Sequence, residues 1–303
     1  MSLQSMIFKF MCTKSDRKRD KNLRIPENVT VIRDIAYDSR GQLLDLNLPS
    51  EPVSGNPGKK LPVIISIHGG GYIYGNKEVY KFYAANLAEN GFAVINFNYR
   101  LAPKYKFPAP LEDTNNVCKW LTENAGRYSL DTGNIFIVGD SAGATLCSQY
   151  ASIVTNPEYA RLFDFEVPAG LTVRGTALNC GSYEFDLSNK TVLDYLGKRI
   201  SKDDLRLDIK GSITPSFPPS FIMSAANDFL VSDVEPLKKL LEEKGIRTIA
   251  KIYGTKEQEY MGHVFHCNLN LAEAKECNKE QCDFFRTCMQ NDVNRSESND
   301  LNR

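Results

Sequence analysis

An apolar run, Ile135-Phe136-Ile137-Val138, leads without a break into Gly139-Asp140-Ser141-Ala142-Gly143. Residues 142–154 then carry Leu146, Tyr150, Ile153 and Val154 at helical spacing. A strand that must become a helix within a few residues turns sharply, and glycines flanking a serine allow that turn to bring the hydroxyl to its tip. Few chains can bury such a unit except as one strand of a parallel sheet covered by helices.

The rest of the chain repeats the strand and helix alternation. Residues 29–37 and 43–48 read as strands joined at Ser39-Arg40-Gly41 into a hairpin. Residues 61–67 form a continuous β-rich run, as suits a strand buried on both faces. Helices are expected over 77–90, 108–124, 234–244 and 271–289, and strands over 92–97, 134–138, 175–178, 221–225 and 248–253. Residues 51–60 read as a loop, and 291–303 as a polar, frayed tail. The predicted class is α/β, with a mostly parallel sheet, helices on both faces and an antiparallel hairpin at its start.

Two stretches stand outside this alternation. Leu3, Ile7 and Phe10 place a short amphipathic helix at the start, followed by a charged segment to Lys21. Residues 186–212 are helix-like and charged. The expected division is an N-terminal cap segment, 1–25, a core of 26–185 and 213–290, a cap insertion, 186–212, and the tail.

Composition narrows the function classes. The 303 residues carry 37 basic and 37 acidic side chains, which provides no electrostatic case for a nucleic-acid partner. No stretch reaches the length of a membrane span, and the apolar residues near the start do not follow a basic segment as a signal peptide requires. The expectation is a cytoplasmic chain without stable membrane insertion, with a homodimer left open. Eight cysteines without a C-x-x-C pair suit reduced thiols. Cys277 and Cys288 share a helical face but stand about 16 Å apart at a 1.5 Å rise, so no zinc site is expected there.

The chemistry is carried by two glycine-rich segments. With 20 glycines and 3 histidines in the chain, G-x-S-x-G is expected by chance about 0.1 times and H-G-G-G about 0.001 times. His68-Gly69-Gly70-Gly71-Tyr72 follows one strand and the serine motif follows another. Ser141 is the candidate nucleophile. The Ala142 N–H and those of Gly70 and Gly71 are candidate donors to a developing oxyanion. His68 and Tyr72 are read as supports of that loop. A phosphate cradle is excluded because no Gly-Lys-Ser/Thr follows.

A serine hydroxyl needs a base, and the base needs an orienting carboxylate. His263 and His266 follow Ser141 and the last strand. The glycine and apolar anchor in Met261-Gly262-His263-Val264-Phe265 favour His263, with His266 second. Asp228 ends the 221–225 strand region and is the first candidate acid, with Asp233 second and open to an N-capping explanation.

With these residues the chain resembles the hormone-sensitive-lipase-like branch of α/β-hydrolase carboxylesterases. The likeness rests on His68-Gly69-Gly70-Gly71, Tyr99-Arg100-Leu101-Ala102-Pro103, Phe107-Pro108-Ala109, the acidic pair Glu112 and Asp113, Gly139–Gly143, Asp228 with Leu230, and His263-Val264-Phe265. It implies an eight-stranded sheet, a helical cap built partly from the N-terminus, and ester hydrolysis without cofactor or metal. Arg100 is expected to bind backbone carbonyls or a carboxylate rather than substrate. The chain departs from the family at Asp228-Phe229-Leu230, where proline commonly follows the acid, and in Asn179-Cys180-Gly181-Ser182-Tyr183, which lacks a common proline. The expected activity is hydrolysis of small, acetyl-like esters. An amidase or peptidase with the same residues is the alternative, and a non-catalytic ligand-binding protein on this fold is a further one.

Overall fold

A computed structural model describes residues 1–50, 60–198 and 200–300, with residues 290–300 described by their backbone alone. The expected loop at 51–60 lies outside the described residues except for its last position. In chain order the elements are α1 (Leu3–Asp20), β1 (Val29–Ala36), β2 (Leu43–Pro49), β3 (Leu61–Ile67), α2 (Lys77–Glu89), β4 (Ala93–Phe97), α3 (Ala109–Asn124), β5 (Leu130–Asp140), α4 (Ala142–Thr155) and α5 (Pro157–Ala160). They continue through β6 (Val173–Asn179), α6 (Lys190–Leu196), α7 (Ile209–Ser212), β7 (Ser220–Ala225), α8 (Val234–Glu243), β8 (Thr248–Tyr253) and α9 (Ala272–Asp300).

The strands form one eight-stranded sheet in the order β1-β2-β4-β3-β5-β6-β7-β8. The β1–β2 and β2–β4 pairs are antiparallel and the other pairs are parallel. Side chains alternate across a strand, so each central strand feeds two cores. Val63, Ile65 and Ile67 of β3, with Ile135 and Ile137 of β5, pack against Leu121 of α3, Leu146 of α4 and Leu237 of α8. Ile64, Phe136 and Val138 enter the opposite core with Ala84 and Leu87 of α2 and Phe285 of α9. This two-sided burial is why β3 and β5 read as unbroken apolar runs in the sequence.

Three expectations are corrected. Helix α1 runs to Asp20 and so includes the charged segment, because Asp16 accepts from the Tyr74 hydroxyl at 2.8 Å and Arg19 donates to the Val79 carbonyl at 2.9 Å, turning those charges toward the protein. Residues 186–212 are not continuous helix: α6 stops at Gly197, and a 3-10 turn (Leu205–Leu207) precedes α7. Helix α9 continues to Asp300, past the expected end at 289 and through most of the stretch read as a frayed tail.

The β5–α4 turn dictates where everything else sits. Ser141 holds φ 53° and ψ −122°, a conformation that costs a non-glycine residue about 1–3 kcal/mol. A Cβ on Gly139 would lie 2.1 Å from the Gly143 carbonyl oxygen, and one on Gly143 would lie 2.1 Å from the Ile67 carbonyl oxygen. The two glycines therefore let α4 fold back over its own strand and against the end of β3. Gly143→Ala is expected to destabilise the protein by about 3 kcal/mol through this backbone clash. Gly126→Ala, where a Cβ meets nothing within 4 Å, should change stability by less than about 1 kcal/mol. Chemical denaturation of both variants checks the contrast, and equal stabilities would contradict it.

Candidate active site

The ends of β3, β5, β7 and β8 place the candidate residues together at the carboxyl edge of the sheet, where open α/β folds form their crevices. Ser141 sits on the tight turn and donates its own N–H to the Asn179 carbonyl at 2.9 Å. His263 Nε2 lies 2.9 Å from Ser141 Oγ, and His263 Nδ1 lies 2.8 Å from Asp228 Oδ1. Asp228 follows β7, and the same oxygen accepts the Leu230 N–H at 2.9 Å. Its second oxygen accepts from the Ser224 hydroxyl at 2.8 Å, and the Cys180 thiol also donates to this carboxylate.

Burial by itself raises the Asp228 carboxyl, but the bonds and charge of His263, with Leu230 and Cys180, bring it below the ordinary carboxylate value. An ionised Asp228 can only accept, so Nδ1 carries the imidazole proton and Nε2 turns its lone pair to the serine. Val264, β-branched yet at φ 53°, marks a strained turn immediately after the imidazole.

The second candidates are not brought to the serine. His266 is fully buried, edge-on to the Tyr83 ring at 5.0 Å, and burial pushes its pKa down to about 3. Asp233 stands at the N-cap of α8 but makes no side-chain cap bond, so the capping explanation does not hold either.

Among the described residues, the N–H groups of Gly70, Gly71 and Ala142 have no hydrogen-bond acceptor. The loop around them is tightly held. His68 stacks on Tyr99 at 4.0 Å, its Nδ1 lies 2.8 Å from the Gly69 carbonyl, and burial lowers it to about 4, so it stays neutral. Tyr72, at φ 65°, stacks on Tyr195 at 4.1 Å and accepts the Ala102 N–H through its carbonyl at 2.9 Å. Arg100 binds Asp113 at 2.9 Å, Glu112 at 2.5 Å and the Ala109 carbonyl at 3.1 Å, which matches its expected internal role.

Sequence reasoning missed the link between the two glycine segments. The Tyr80 hydroxyl of α2 donates to Asp140 Oδ2 at 2.7 Å and accepts the Gly69 N–H at 3.0 Å. It also missed Ser224 and Cys180 at Asp228, and the Phe229 ring tilted against His263 with centroids 4.3 Å apart while 72% exposed. Nothing in local spacing signals these contacts, since each joins separate elements or reverses a loop.

Two sets of side chains could reach a common ion: Cys180, Asp228 and His263, and Asp140, His266 and Cys267. Burial raises both thiols far above their ordinary value, and a metal needs thiolate. Asp228 and His263 are also committed to each other. The donor chemistry therefore favours hydrogen bonding over metal ligation.

A strained serine at the end of a central strand, hydrogen-bonded in line to an imidazole and a carboxylate on this sheet, defines an α/β-hydrolase. The family model BD-FAE matches residues 44–235, and the chain belongs to that family. This agrees with the resemblance to hormone-sensitive-lipase-like carboxylesterases carried by its motifs. Tuliposide A-converting enzyme 1 of Tulipa gesneriana is 27% identical over 265 residues, 80% of this chain and 65% of that protein. An acetyl esterase of Salmonella dublin is 28% identical over 58% of each chain. The chain thus spans less than two thirds of the length of these curated relatives. Among solved structures, phosphonate-inhibited esterase B from Lactobacillus rhamnosis superposes with a TM-score of 0.87 over 97% of both chains at 24% identity, which establishes the shared fold.

Asp140 provides a pH test of the site's electrostatics. Burial lifts its pKa from 3.8 to about 6. The native state thus keeps this proton through an interval where the unfolded chain has lost it. Its contribution to stability is full below 3.8 and is lost as pH rises through 6. Asp140→Asn removes that titration, so its unfolding midpoint should gain on the wild type as pH is raised from about 4 to about 7. A pH-independent difference between the two midpoints would contradict this.

Proposed function

We propose that the chain is a serine carboxylesterase acting on small acyl esters through an acyl-enzyme on Ser141. The observation that carries this reading is the hydrogen-bonded line from Asp228 through His263 to Ser141, together with N–H groups of Gly70, Gly71 and Ala142 that have no acceptor among the described residues. Ser141 Oγ attacks the ester carbonyl as His263 Nε2 takes its proton. Asp228 keeps the imidazole oriented and offsets its charge. The oxyanion receives hydrogen bonds from Gly70, Gly71 and Ala142. Collapse expels the alcohol, protonated by His263. Water, deprotonated by the same imidazole, then releases the acid and frees the serine.

The short acyl chain is supported by the aromatic group that adjoins the glycine loop. Tyr72, Phe185, Tyr195 and Phe107 pack ring to ring with centroids 4.1–6.5 Å apart. Bulky rings there leave little depth for a long chain. The acetyl esterase relative points the same way. In this reading α1 and residues 186–212 are the cap over a core of 26–185 and 213–290. A cytoplasmic setting suits eight free cysteines, seven of them buried.

Ser141→Ala should lower kcat on a chromogenic acetate ester by on the order of 10⁴-fold or more. Residual activity within tenfold of wild type would remove Ser141 from the role. Hydrolysis should fall on acidification, since a protonated imidazole cannot act as base. Acetate should be turned over faster than decanoate, and a matched anilide, measured beside the ester, separates the esterase from an amidase.

A further inference from the structure

The outer side of α1 has no role in the chemistry above, yet it exposes five large apolar side chains. Its inner side is pinned. The Ser2 N–H and the Ser5 hydroxyl both donate to Asp194 Oδ2, at 2.8 and 2.7 Å. A Cβ on Gly71 would meet the Phe8 ring at 3.4 Å, and Asp16 accepts from the Tyr74 hydroxyl. The helix therefore lies across the loop that carries the free N–H groups, with its outward side held in a fixed orientation.

That outward side begins apolar and ends basic. Leu3, Met6, Ile7, Phe10 and Met11 are each at least half exposed, Phe10 reaching 71%. Lys14, Arg17 and Lys18 follow, and Lys9 flanks the apolar part, all exposed. The two acidic residues of the helix, Asp16 and Asp20, pair with Arg19 at 3.0 and 2.6 Å on the inner side. No exposed charge on α1 is therefore negative. Exposed large apolar side chains together with cations, and no exposed carboxylate, are features shared with helices that lie in a membrane interface.

We infer that α1 docks this protein on an anionic phospholipid surface, with the apolar half entering the acyl boundary and the basic half lying among the phosphates. Charge argues for a bilayer over a second copy of the chain. A two-fold contact through this surface would set each basic end against its own kind or against apolar residues, since a symmetric interface uses the same patch on both subunits. An anionic leaflet complements both halves at once. Further exposed apolar side chains, Phe229 beside His263 and Leu193 on α6, stand on the segments that border the site. Docking would hold the site loop about one helix diameter, roughly 10 Å, from the lipid. Esters partitioned into the membrane would then have the shortest path to Ser141.

The test is co-sedimentation of the full chain with phosphatidylcholine vesicles, with and without about 30 mol% phosphatidylserine. Binding should be at least about tenfold tighter to the anionic vesicles and should weaken as salt shortens the screening length. Phe10→Asp and the double variant Lys14→Glu/Arg17→Glu should each weaken it about tenfold or more, with the unfolding midpoint unchanged as the control for folding. Ser141→Ala should bind as the wild type does, so this result stands apart from the esterase reading. Equal binding to both vesicles, or anionic binding that survives both α1 variants, overturns the inference. So does a dimer in sedimentation velocity that Phe10→Asp dissociates while vesicles are ignored.

Discussion

The structure depends on one close backbone approach, that of Gly143 to the carbonyl of Ile67. Only with no side chain at Gly143 and Gly139 can α4 lean over the end of β3. That contact holds Ser141 in its strained conformation and brings the serine turn beside the glycine loop that follows β3. The strain of about 1–3 kcal/mol is offset by the packing of α4 into the core, where Leu146, Tyr150 and Ile153 are buried. Strain at Ser141 and burial behind it are two sides of one arrangement.

Hydrogen bonds extend this contact outward. Asp140 points away from its neighbour Ser141 and, through Tyr80, holds the Gly69 amide. The Tyr99 hydroxyl donates to the His68 carbonyl at 2.9 Å while its ring supports the imidazole. Arg100, next in sequence, is tied to Glu112 and Asp113 at the start of α3. The loop bearing the free N–H groups is thus braced from α2, from the strand end after β4 and from α3, while α1 closes it from outside. A preorganised set of donors loses little energy in reorganising when charge develops. On the other flank, Asp228 has four donors around it, which keeps it ionised despite burial and fixes the tautomer of His263.

Much of this is legible in the amino-acid sequence. The β3 and β5 runs are apolar because both faces are covered, and that same fact makes their periodicity uninformative about length. The apolar pattern therefore predicts a strand over 134–138 where β5 spans Leu130–Asp140. Helix α1 was read short because a run of Lys, Arg and Asp looks solvated, and only its partners Tyr74 and Val79 show that part of it faces inward. Position after the last two strands leaves two candidates each for the acid, Asp228 and Asp233, and for the imidazole, His263 and His266. His263 and His266 are three apart, and the choice between them is made by the left-handed turn at Val264, which sends one ring to Ser141 and the other into the core.

The amino-acid sequence by itself determined the class of fold, the candidate nucleophile and the glycines beside it. These follow from local rules: periodicity sets the elements, and absence of a Cβ permits the turn. Tertiary structure alone decided which histidine and which aspartate lie in line with the serine, that Ser224 and Cys180 hydrogen-bond that aspartate and Tyr80 ties Asp140 to Gly69, and which side of α1 is left uncovered. Those outcomes depend on where separate strands end relative to one another. That is a property of the assembled sheet, and no window of the chain contains it.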